Sequence, residues 1–231
     1  MKSNLYTSQR YFIILFLSYF LHCTHLTHAL DLNTINIPCG NKTESIGISL
    51  HLTKRDESIK APQKLNQDKS WLKAQLKEAN TLFSAIGVCF YYANSAELPQ
   101  TESRMLTRKQ RTHLGRLKGR LSKGQIDLFI VNYLGDVDIK DNEIRGVHWR
   151  DPRDKKYKRW IILSRIARTK VLAHELGHYF DLPHSKFAQS IMNKKPRKTP
   201  PMSERGFVAS EYKIMKRAWL RMKKNDFLTP R

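Results

Sequence analysis

"HELGHYFDLPH" (174–184) places three histidines and one glutamate in eleven residues. His174 and His178 stand four apart, so on a helix both imidazoles project from the same face and can grip one metal ion. Glu175 lies beside that pair, turned toward a water that the ion would carry. Imidazole is a good zinc ligand, and a catalytic zinc keeps three protein ligands and one open position. The third ligand falls to His184, six residues past His178. Pro183 ends the helix first, so the chain must turn sharply to bring His184 back. The alternative is a polar helix end whose histidines bond to backbone carbonyls.

Working outward, "RTKVLAHELGHYFDL" (168–182) reads as the helix carrying this motif. Before it, "RWIILS" (159–164) and "IDLFIVNYL" (126–134) are apolar on both faces, as interior parallel strands are. "IRGVHW" (144–149) is a short strand between them, after the loop "GDVDIKDNE" (135–143). "ESIGISLHLT" (44–53) alternates Ile46, Ile48, Leu50 and Leu52 with smaller or polar residues, a period-two strand. "SWLKAQLKEANTLFSAI" (70–86) sets Leu72, Leu76, Ala79, Phe83 and Ile86 on one helical stripe. Gly87 ends that helix, and "VCFYYA" (88–93) is a second strand. Residues 104–123 carry leucines at 106, 114, 117 and 121, which predicts a basic helix weakened by Gly115 and Gly119. Val208, Tyr212, Met215, Trp219 and Met222 form a last helical stripe. Strands alternating with helices predict one α/β domain over 30–231, with a mostly parallel sheet and a mainly helical C-terminal part.

Residues 1–29 are set apart. Lys2 and Arg10 precede the apolar "YFIILFLSYFL" (11–21), and Ala29 offers a small residue for a cut, the pattern of a cleaved secretory signal. The apolar run is eleven residues, short of the ~20 that a spanning helix needs. A secreted or periplasmic chain without a transmembrane segment is expected. Beyond the signal two cysteines remain, Cys39 and Cys89, and an even pair in an exported chain favours a disulfide over two free thiols. The 231-residue chain carries a net charge of +22. The charge comes in blocks, at 108–123, 153–159, 193–198 and 216–224, and favours acidic proteins or anionic surfaces as partners. Each block alone also reads as a solvated lysine-rich face.

The motif resembles the extended zinc signature of the metzincin metallopeptidases, H-E-x-x-H-x-x-G-x-x-H followed by a methionine turn. "QSIMNK" (189–194) would be that turn, with Met192 as an apolar floor beneath the metal rather than a ligand. Ser185 and the short gap to Met192 make the likeness closest to the matrixin branch. "ANTLFSAIGVCFY", "IDLFIV", "IRGVHW" and "EYKIMKRAWL" fall where metzincins have a helix, strands and a closing helix. The resemblance implies a zincin-like fold with a twisted mixed sheet and an active-site helix. It also implies a monomeric zinc endopeptidase acting on protein or peptide substrates, with His174, His178 and His184 as ligands and Glu175 as general base. "IRGVHW" would be the edge strand along which an extended substrate pairs. The basic segment after Met192 would wall a pocket favouring acidic or non-basic residues after the cut.

Three departures bear on that expectation. Asp181 stands where the family has glycine, at a left-handed position that aspartate tolerates better than most residues. Lys194 occupies the place of the auxiliary tyrosine of astacin-type enzymes. "IPCGN" (37–41) shares Pro-Cys-Gly with the cysteine that caps zinc in matrixin zymogens, but the chain from Ala29 to Cys39 is too short for a folded prodomain. Asp136, Asp138, Asp141 and Glu143 form an acidic group that can be read as a calcium loop or, more simply, as a solvated loop. The competing functional reading is a basic metzincin-fold protein that binds anionic envelope or nucleic acid with little proteolysis.

Overall fold

The computed structural model describes residues 30–41, 43–55, 65–117, 122–154, 158–194 and 199–231. Residues 1–29, read above as a secretory signal, and the basic residues 195–198 lie outside them. In chain order come β1 (Glu44–Thr53), α1 (Leu65–Phe83), β2 (Val88–Leu98), β3 (Arg104–Met105), α2 (Arg108–Leu114), β4 (Ile126–Val131) and β5 (Tyr133–Leu134). They are followed by β6 (Gly146–Arg150), β7 (Arg159–Ser164), α3 (Val171–Tyr179) and α4 (Ala209–Lys224).

Five strands form one sheet in the order β2-β1-β4-β7-β6. β2, β1, β4 and β7 run parallel, and β6 returns antiparallel on the outside of β7. Parallel neighbours need crossovers, and α1 supplies the first of them between β1 and β2. A 3-10 turn, Ser84–Ile86, follows α1, and Gly87 closes it at φ 75°, a left-handed conformation that glycine takes without a steric penalty.

Alternation along the strands sorts the core into two layers. Ile46, Ile48, Leu50, Leu128, Ile130, Ile161 and Leu163 meet α1, α3 and α4 on one face. Phe129, Val131, Trp160 and Ile162 face the other way, onto Leu98, Met105 and Leu114. Both faces of β4 are therefore buried, which is why "IDLFIV" has no polar side except Asp127. That carboxylate faces His51 Nε2 at 2.9 Å and accepts the Ser122 N–H, so its burial is compensated.

Two sequence expectations are corrected. Of the helix expected over 104–123, residues 118–121 lie outside the described residues, and among the rest the helix is Arg108–Leu114, capped by a reciprocal pair in which Thr107 Oγ1 accepts the Gln110 N–H and Gln110 Oε1 accepts the Thr107 N–H. Arg104–Met105 is instead a short strand paired to Tyr133–Leu134, and Gly115 lies flat on Trp160, where a Cβ would come within 2.2 Å of the ring. Both reasons are long-range contacts that a leucine spacing does not carry. The same pairing divides the strand expected over 126–134, because Asn132 turns the chain out of the main sheet into β5.

Candidate metal centre

Helix α3 carries His174, Glu175 and His178, with the apolar residues Leu172, Ala173 and Leu176 buried beneath. Its end determines where His184 goes. The Leu182 N–H reaches the Gly177 carbonyl at 2.9 Å and the Asp181 N–H reaches the His178 carbonyl at 3.0 Å. This is the paired closure of a helix that ends in one left-handed residue. Asp181 is that residue, at φ 67°. Its carboxylate is clamped by Arg159 at 3.0 Å and by Arg221 from α4. Two guanidinium contacts thus support a side chain where the turn alone would prefer none.

Past the turn the chain folds back under the helix. The carbonyl of Leu182 lies 2.7 Å from His178 Nδ1, and that of Ile191 lies 2.7 Å from His174 Nδ1. A carbonyl only accepts, so each Nδ1 carries the proton and each Nε2 keeps its lone pair for a metal. His184 completes the group. Ligand atoms of the three histidines lie within 4.8 Å of one another, and the rings are 4.7–5.7 Å apart between centroids. Burial lowers the pKa of His174, His178 and His184, most directly by desolvation, and so favours neutral imidazoles. Three neutral nitrogens converging from one helix and one turn fit a zinc ion with an open position.

Met192 lies fully buried at the start of the segment that returns from this turn. The Ser185 N–H donates to its carbonyl at 2.8 Å, and the Ser190 hydroxyl accepts its N–H at 2.9 Å. Gly177, one residue before the second histidine, permits this approach: a Cβ there would stand 2.7 Å from Met192 Sδ. Glu211 of α4 holds the turn from below, its two carboxylate oxygens 2.8 and 2.9 Å from Ser190 Oγ. Sequence reasoning missed Glu211. Its place three residues past the N-cap Val208 marks it as a capping residue, but nothing local links it to Ser190.

Glu175 is 6% exposed, and one carboxylate oxygen accepts the backbone N–H of His148 at 2.7 Å. Burial pushes its pKa up to about 7, against the nearby His178 and the His148 hydrogen bond, which pull it down. The donor is on β6, so Glu175 is held against the outer edge of the sheet. Among the described residues β6 pairs only with β7. His148 itself packs edge-on to Tyr179, and burial pushes its imidazole down to about 3, so it stays neutral.

The acidic residues of the 135–143 loop are dispersed. Asp136 accepts the Asp138 N–H and the Asn142 amide, Asp138 pairs with Arg108, and Glu143 accepts from Ser164. These carboxylates act separately, as parts of a solvated loop, and do not converge on a calcium position. Cys39 is bonded to Cys89, which removes it as a candidate thiol cap for the metal. No helix among the described residues is long and apolar enough to cross a membrane.

No protein-family model matches the sequence, and no curated protein matches it. Solved structures do. The structure of archaemetzincin from Methanopyrus kandleri aligns with a TM-score of 0.51 at 16% identity, covering 77% of this chain and 97% of that one. Metalloproteinase-II from Bacteroides fragilis aligns with a TM-score of 0.50 at 13% identity, covering 79% of this chain and 57% of that one. At these identities the likeness is one of fold: the chain has the mixed, mostly parallel α/β architecture of these zincin-like metallopeptidases.

Proposed function

We propose that this chain is an exported zinc endopeptidase. The observation that carries the reading is the convergence of His174, His178 and His184 beside a buried Glu175 that hangs from an edge strand. The likeness in fold to an archaemetzincin and a metalloproteinase supports it, and a disulfide suits an oxidising compartment outside the cytosol.

His174, His178 and His184 would hold the ion. Bound there, zinc would acidify a water toward pH ~7 and polarise the scissile carbonyl. Glu175 takes the proton of the attacking water and passes it to the leaving amine, a role that suits a carboxyl group whose pKa burial has raised to about 7. The His148 N–H fixes the carboxylate on one side, leaving the second oxygen for the proton. Edge strand β6 offers main-chain groups to an extended substrate, which aligns a peptide bond over the site. Met192 and Gly177 set the apolar floor, Asp181 locks the turn that delivers His184, and Glu211 holds the methionine turn through Ser190.

The test is cleavage of an unbiased peptide library by the chain from Leu30, beside Glu175→Ala and a chelated sample. Cuts that vanish in both controls establish the peptidase. One equivalent of bound zinc without cuts would favour a metal-binding protein that does not hydrolyse peptides. Failure to bind zinc would end the reading.

A further inference from the structure

Of the convergent histidines, His178 also lines one end of a long depression that the other two do not enter. From His178 a cleft of about 1580 Å³ runs past β6 to the outer face of α2, walled on the far side by the ends of α3 and α4. Seven of its lining side chains are arginine or lysine, and three are carboxylates. The carboxylates are already engaged. Asp151 receives both Arg116 Nε and Nη2, at 2.7 and 3.0 Å, with Arg153 nearby. Asp181 is shared by Arg159 and Arg221. Glu102 faces His113 at 3.7 Å. No carboxylate among the described residues lies within ion-pair distance of Lys109 on α2 or Arg150 at the end of β6, and both are exposed. The cleft therefore carries positive charge that no carboxylate among the described residues compensates.

The shape of the wall says what kind of anion suits it. His148 turns its N–H away from β7, toward Glu175. Main-chain groups alternate along a strand, so Arg150, two residues on and itself lining the cleft, presents its backbone to the same open side. A row of edge hydrogen-bonding groups beside cationic side chains matches an extended polypeptide bearing carboxylates. A single-stranded nucleic acid is held by free aromatic faces as well as by charge. Trp149, the one indole lining the cleft, is instead tied to Thr112 Oγ1 at 3.1 Å and covered by Arg111.

We infer that the cleft between α2, β6 and the ends of α3 and α4 is an exosite for an acidic polypeptide segment, held by Lys109 and Arg150 and meeting the candidate metal centre at His178. The inference rests on the peptidase reading, and it names the substrate class of that same site: proteins with a run of Asp or Glu a few residues from the cut.

Binding tests it apart from turnover. The probe is a fluorescein-labelled ten-residue peptide rich in glutamate, titrated by anisotropy against the full chain carrying Glu175→Gln. A length-matched neutral peptide and an oligonucleotide of equal charge serve for comparison. The exosite requires that Lys109→Glu with Arg150→Glu weakens the acidic peptide about tenfold, as two reversed contacts at exposed positions would. The same reversal at exposed Lys213 and Arg217 on α4, outside the cleft, should leave it within about twofold. Equal losses in the two double variants would reduce the effect to the overall charge and overturn the exosite. So would tighter binding of the oligonucleotide through Lys109 and Arg150, or no preference for the acidic over the neutral peptide. Failure of the unmodified chain to cut any peptide would refute the peptidase and leave the binding result standing on its own.

Discussion

Glu175→Gln should make the metal-free protein more stable, and the gain should depend on pH. In the folded chain burial raises the Glu175 pKa from 4.5 to about 7. A group whose folded pKa is raised stabilises the fold fully below its unfolded pKa and loses that contribution as pH rises through the folded value. Between pH 4.5 and about 7 the native state is therefore progressively destabilised by a carboxylate that burial would keep protonated. At 1.36 kcal/mol per unit, the shift corresponds to about 3 kcal/mol at pH 8. The His148 N–H bond survives the change, because the glutamine carbonyl accepts it as the carboxylate does. Urea unfolding of the two chelated proteins at a series of pH values measures the difference, and every group that titrates identically in both cancels. The variant should match the parent near pH 4, pull ahead from pH 5 and level off with a lead of about 3 kcal/mol near pH 8. A parent as stable as the variant at pH 8 would show that Glu175 is ionised without strain, and burial would then not be what poises it as a base. The expected deficit is the stability cost of keeping an ionisable carboxyl group buried.

Three further outcomes follow from the geometry. Asp181→Ala places an alanine at φ 67° and removes the partner of Arg159 and Arg221, so it should cost about 1–2 kcal/mol of stability and weaken zinc binding. Asp181→Gly should recover most of the backbone part, and isothermal titration with zinc beside thermal unfolding separates the two effects. Gly177→Ala drives a methyl to within 2.7 Å of Met192 Sδ and 3.1 Å of Phe207, so the methionine turn must shift. A loss of about 1–3 kcal/mol in unfolding free energy is expected, with lower zinc affinity because the Ile191 carbonyl moves with its His174 partner. Replacing Cys39 and Cys89 with serine opens a bridge spanning 50 residues and should cost about 2–4 kcal/mol, read by urea unfolding, with the metal site retained.

Much of the molecule was written in local patterns. The strand at 44–53, the helix ending at Gly87 and the doubly apolar "IDLFIV" and "RWIILS" all appear where periodicity and composition put them. Their signals are dense because burial on one or both faces constrains every residue. The stretch 104–123 misled for the opposite reason. Its leucines sit at helical spacing, but Leu106 is exposed, and Met105 is recruited by β5, which lies nearly thirty residues away in sequence.

The sequence by itself singled out the three histidines that converge, His174, His178 and His184. Spacings of four and six around a helix end, with a glutamate beside the first histidine, are a property of the local chain, and the left-handed turn at Asp181 could be read from the residue that occupies it. Tertiary structure alone decided what holds that set in working order. The carbonyls of Leu182 and Ile191 assign the histidine tautomers, the β6 N–H orients Glu175, and Glu211 of α4 pins Ser190 beneath the methionine turn. The basic cleft is likewise assembled from α2, β6 and α4, which only packing brings together. A hydrogen bond needs atoms placed within a few tenths of an ångström, and for partners remote in sequence that placement is a product of the whole fold.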